Sequence, residues 1–138
     1  MRNDDGLGLC LIESLNKKIS KDCIEEKNVV LVNSGSVPEN FSGLIIKEDP
    51  SHIIIVDAVL MDREPGSIRI IDNEEIANFS FSTHSISLSV FIKYLKSKID
   101  FDIVVIGIQP ESMDFGDVIS NTVQKTIFKL EKLLINLL

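Results

Sequence analysis

The sequence predicts an α/β fold, a three-layer αβα sandwich around a mixed, mostly parallel twisted sheet. Three patterns carry this expectation. Two apolar runs, His52 to Asp57 and Phe101 to Ile106, are continuous rather than alternating, as strands buried on both faces require. Helical periods separate them and follow them. Residues Asp117 to Leu138 place Ile119, Val123, Ile127, Leu130, Leu134 and Leu137 at spacings of four and three, the signature of a C-terminal helix packed on the sheet.

The remaining elements follow in chain order. Leu7, Cys10, Leu11, Leu15 and Ile19 recur at helical spacing behind Asp4, Asp5 and Gly6, so a helix from about Gly8 to Ser20 is expected, with both carboxylates at its entrance. Val29 to Val32 is a short β-branched run read as a strand, followed by a polar loop from Asn33 to Ser36. Pro38 and Glu39 suit the first turn of a short helix that ends near Asp49 and Pro50. Pro65-Gly66 marks a turn, and Ser67 to Ile71 follows too closely for a helical crossover, so it should lie antiparallel. Thr83 is the expected cap of a helix carrying Leu88, Phe91, Ile92, Leu95 and Ile99 on one side, with Lys93, Lys96 and Lys98 near its end. Gly107 is expected to close the strand that begins at Phe101.

Composition narrows the functional classes. The 138 residues, 44% of them apolar, suffice for one compact domain spanning 1–138, with no repeat or linker to divide it. A formal charge of −7 and the lack of a Lys/Arg cluster argue against nucleic acid as a partner. Cys10 and Cys23 form neither a close metal-binding pair nor a disulfide framework, which fits free thiols in a reducing, cytoplasmic setting. No uncharged apolar stretch is long enough to span a bilayer, and a monomer is expected.

Ligands of open α/β sheets gather beyond the carboxyl ends of the strands. Three polar segments are expected to converge there: Asn33 to Ser36, Asp57, and Gly107 to Pro110. Asp57, directly after Ile-Ile-Ile-Val, is partly desolvated and needs a cation, a donor or a proton; alternatively it caps a loop amide. Asp4 and Asp5 read first as helix caps and only second as metal ligands, and His84 first as a loop residue beside a helix start and second as a ligand. Two carboxylates and an imidazole make an O,O,N set suited to nickel, zinc or manganese.

The segments Asp4-Asp5-Gly6, Gly35-Ser36-Val37-Pro38-Glu39-Asn40, Ile54-Ile55-Val56-Asp57-Ala58, Pro65 to Asp72, Thr83-His84 and Gly107-Ile108-Gln109-Pro110 occur in this order along nearly the whole chain. Together they resemble the nickel-iron hydrogenase maturation proteases, most closely the branch that processes the hydrogenase 3 large subunit. The resemblance implies an endopeptidase that removes the C-terminal extension of the large-subunit precursor. It places the metal-site positions on Asp5, Asp57 and His84, with Asp5 or Asp57 as an aspartic-type general base. Nickel would be cargo of the substrate, recognised before cleavage, rather than a permanent cofactor. Gly35, Ser36, Glu39 and Gln109 are expected to grip the substrate tail.

Members of that family begin with a hydrophobic strand leading into the Asp-Asp-Gly loop, whereas this chain starts at the loop. The resemblance therefore implies that the N-terminal strand is missing, that Met1 is an internal methionine, and that the chain is a destabilised fragment. Two other readings stand beside the peptidase: a non-cleaving chaperone that docks on a nickel-loaded large subunit, and a flavodoxin-like small-molecule binder. The second lacks a phosphate loop after the first visible strand.

Overall fold

A computed structural model of the chain describes residues 6–21, 29–33, 37–81, 87–111 and 119–137. Four strands form one mixed sheet: β1 (His52–Leu60), β2 (Ile68–Ile71), β3 (Ser80–Phe81) and β4 (Asp102–Ile108), in the order β2-β4-β1-β3. The two continuous apolar runs are neighbours. β1 and β4 are parallel over seven register pairs, from His52↔Asp102 to Ala58↔Ile108. β2 runs antiparallel to β4, with Ile68 opposite Ile108, as its short distance from the preceding strand predicts. β3 adds two antiparallel pairs at the far end of β1.

Alternation along the strands sends successive side chains to opposite faces, and each face has its own core. Ala58, Ile106 and Ile108 pack under α1 (Leu7–Lys21) and α4 (Asn121–Leu137), through Leu7, Leu11, Leu15, Val123, Ile127, Leu130 and Leu134. Val59, Ile71 and Val105 pack under α3 (Leu88–Lys96), through Leu88, Phe91, Ile92 and Leu95. The short helix α2 (Ser42–Glu48) adds Ile45 and Ile46 to that second core. Three layers result. Burying so many branched side chains, each contributing about 1.5–3 kcal/mol, holds the layers together.

The helices α1 and α4 also share a polar seam. Glu131 of α4 is almost fully buried, yet it accepts a hydrogen bond from Ser14 and pairs with Lys18, both on α1. Burial alone would raise its pKa; the Lys18 and Ser14 hydrogen bonds and the charges of Lys18 and Lys132 outweigh that and hold it below the ordinary glutamate range.

Four expectations need correction. The run Val29 to Val32 is irregular, with no ladder partner among the described residues; β-branched residues make a strand only where a neighbouring strand completes the hydrogen bonds. The cap of α3 is Ser87, whose hydroxyl accepts from Val90 N, and Thr83 lies outside the described residues. Gly107 does not end β4 but sits inside it, because a strand already paired on both sides continues to Ile108. For α4, the described helix begins at Asn121, where the Ser120 hydroxyl accepts from Val123 N.

Candidate active site

Asp57 is a buried carboxylate in the middle of the sheet. β1 continues through Ala58, Val59 and Leu60, so Asp57 is not at the strand end as the sequence suggests; it lies one pair below the top of the parallel ladder. The strand runs on because β3 supplies partners to Val59 and Leu60. Asp57 is 7% exposed, and its Oδ1 accepts a hydrogen bond of 2.9 Å from Ala58 N. The residue binds the amide of the next strand residue rather than a loop amide, and it is a buried carboxylate near the carboxyl edge of parallel strands, where ligands gather.

Its register partner is Gly107. A Cβ there would come within 2.9 Å of Ile71 Cδ1 and 3.0 Å of Val59 Cγ2, so the glycine is what allows these side chains to close over the sheet beside Asp57. Asp5 and His84 lie outside the described residues, as do Gly35 and Ser36. A Cβ added at Gly8, in the first turn of α1, would stand 3.8 Å from the Val56 carbonyl oxygen, and Phe81, the last residue of β3, pairs with Val59. Gly8 and Phe81 therefore both reach β1 within two residues of Asp57. Among the described residues no group of three His, Cys, Asp or Glu side chains forms a metal cluster.

Glu39 lies in the 3₁₀ turn Pro38–Phe41, and its Oε2 is buried with no hydrogen-bond partner among the described residues. An unpaired buried acceptor costs about 1–3 kcal/mol, so this oxygen is available to a donor from outside. Gln109 is bound within the chain. It is 8% exposed, its Oε1 accepts from Met61 N at 2.7 Å, and its Nε2 donates to Pro110 O at 3.4 Å. So engaged, the side chain anchors the segment that follows β1. No periodicity marks such a bond, which joins residues 48 apart in the chain.

The other histidine is distant. His52 starts β1, at the opposite edge from Asp57, where its Nδ1 lies 2.9 Å from Ser51 Oγ and its Nε2 3.6 Å from Asp102 Oδ2. A groove at this edge is lined by Ile46, Asp49, Pro50, Ser51, Lys98, Ile99 and Asp100. It lies at the amino ends of the parallel strands and shares no residue with the Asp57 region.

Comparison with known proteins gives a consistent result. A family model described as hydrogenase maturation protease matches residues 11–137. A Methanocaldococcus jannaschii protein bearing the name of a hydrogenase maturation protease is 39% identical over 95% of this chain and 85% of its own length. The hydrogenase 3 maturation protease of Escherichia coli is 37% identical over 83% of this chain and 70% of its own. Among solved structures, the nickel-iron hydrogenase maturation protease HycI of Thermococcus kodakarensis superposes with a TM-score of 0.79 at 27% identity, covering 98% of this chain and 83% of that one. The endopeptidase HycI of Escherichia coli gives 0.77 at 33% identity, covering 96% and 81%.

Proposed function

Because the chain belongs to the hydrogenase maturation protease family, we propose that it is an endopeptidase that removes the C-terminal extension from the large-subunit precursor of a nickel-iron hydrogenase once nickel has been inserted. The observation that carries this reading is Asp57, a buried carboxylate one pair below the top of a parallel ladder, facing a glycine rather than a side chain. A carboxylate there can do two things. It can take part in recognising the precursor's nickel, together with Asp5 and His84, and it can act as general base on a single water.

In the hydrolytic step, water attacks the scissile carbonyl carbon while a carboxylate, Asp57 or Asp5, takes its proton. The tetrahedral intermediate then collapses, and the same proton passes to the departing amine as the C–N bond breaks. A carboxylate suits this role because it needs only one positioned water within hydrogen-bond reach. Glu39, with its unpaired buried oxygen, offers an acceptor to a backbone N–H of the tail, and Gly35 and Ser36 complete the grip. Nickel is cargo of the precursor in this scheme. In this reading the enzyme acts as a monomer in the cytoplasm.

The test uses two forms of the precursor, nickel-loaded and nickel-free, incubated side by side with the protein and followed by intact mass. Loss of the C-terminal extension from the loaded form alone is the expected outcome. Equal cleavage of both forms would remove nickel from the recognition step.

A further inference from the structure

The segment that follows β1, residues 61–67, forms a rim beyond the carboxyl end of the strand that carries Asp57. Met61 begins it, buried; Asp62, Arg63, Glu64 and Pro65 stand exposed; Gly66 and Ser67 lead into β2. Its shape is costly to form. Asp62 has φ 55° and Gly66 φ 85°, both in the left-handed region, and Ser67 N donates to Glu64 O at 3.0 Å to close the turn.

One residue ties down both ends of this rim. Gln109 Oε1 accepts from Met61 N at 2.7 Å where the rim leaves β1. Where the rim enters β2, Gln109 O accepts from Gly66 N at 2.8 Å and Gln109 N donates to Ser67 O at 2.9 Å. Thr126 of α4 secures the same corner by donating to Gly66 O at 2.7 Å. The backbone bonds at Gly66 and Ser67 would survive any side-chain change at 109, but the Met61 anchor depends on the carboxamide oxygen alone.

We propose that Gln109 is a positioning residue that holds the charged rim 61–67 where it bounds the substrate peptide beside Asp57. The proposal rests on the endopeptidase reading. Its consequence is a division of labour. Asp57 is held by the β1–β4 ladder, which does not need the carboxamide, so releasing the rim weakens substrate binding and leaves the bond-breaking step in place. Interactions made equally with substrate and transition state appear in KM and not in kcat.

Two substitutions separate the carboxamide's acceptor from its bulk. Gln109→Leu keeps an apolar side chain of similar size without the acceptor, and Gln109→Glu keeps the acceptor for Met61 N. For cleavage of the nickel-loaded precursor, Q109L should raise KM about five- to tenfold, the worth of one hydrogen bond, with kcat little changed. Q109E should restore KM towards the wild-type value. Hydrogen exchange of the Met61 amide should quicken in Q109L and stay slow in Q109E. An unchanged KM in Q109L, a fall in kcat alone, or equal damage in both variants overturns the proposal. If the wild-type protein does not cut, the peptidase reading fails by itself, and precursor binding decides on the rim: a Kd raised in Q109L and restored in Q109E supports it, and equal Kd values overturn it.

Discussion

Asp57 and Gly107 face each other across the parallel ladder of β1 and β4, so the buried carboxylate has a neighbour with no side chain. Ile71 and Val59 close around the space above the glycine. The local packing at the proposed catalytic group is therefore set by an absence, and adding a single carbon tests it.

Gly107→Ala places that carbon 2.9 Å from Ile71 Cδ1 and 3.0 Å from Val59 Cγ2. The Ile71 methyl can rotate away, but Val59 is β-branched and fixed in its strand, so Val59 sets the cost. A loss of about 1–3 kcal/mol in stability is expected, measured by urea unfolding. Unchanged stability would mean that β1 and β4 are less closely packed at this level than described.

Gly66→Ala should be worse. Its φ of 85° is strained for any residue with a Cβ, costing about 1–2 kcal/mol by itself. The new Cβ would also stand 2.8 Å from Thr126 Oγ1 and 2.9 Å from Thr122 Cγ2, displacing the hydroxyl that donates to Gly66 O. A clear fall in Tm is expected, together with weaker precursor binding as the rim shifts. Full retention of both would argue against the Thr126–Gly66 corner.

These positions show what the sequence discloses and what it hides. Periodicity disclosed both core strands and the two long helices, because each is a local pattern that burial enforces, and the short connection through Pro65-Gly66 disclosed the antiparallel hand of β2. Pairing hid the rest. Asp57 looks like a strand terminus because a charge interrupts the apolar run there, yet β1 continues for three residues, Ala58 paired with β4 and Val59 and Leu60 with β3. Val29 to Val32 looks like a strand, but no partner strand is described for it. Gln109 reads as a polar loop residue and turns out to be a buried tie to Met61. As for the site, Asp57 was legible as a charge after an apolar run, whereas Asp5, His84, Gly35 and Ser36 lie outside the described residues and rest on the sequence reading and the resemblance.

The seam between α1 and α4 gives a pH signature. Glu131 has its pKa lowered in the folded protein, so its contribution to stability is fully present above the ordinary glutamate range and is lost as pH falls through the lowered folded value. In Glu131→Gln that part of the acid dependence should vanish. Urea unfolding at neutral pH and at pH 3 should therefore show the wild type more stable than E131Q at the higher pH, by about 1–3 kcal/mol, with the gap narrowing at the lower. A constant gap would mean that the Ser14 and Lys18 contacts do not depend on the charge of Glu131.

The most direct measurement of the central claim is the mass of a nickel-loaded large-subunit precursor after incubation with wild-type protein or with Asp57→Ala, each first shown to be folded by circular dichroism. The wild type should remove the C-terminal extension. D57A should slow that cleavage by about 100-fold or more, the loss expected when a positioned general base is removed. A wild-type protein that leaves the precursor mass unchanged, or a D57A variant that cuts at the wild-type rate, would contradict the assignment of the site to Asp57.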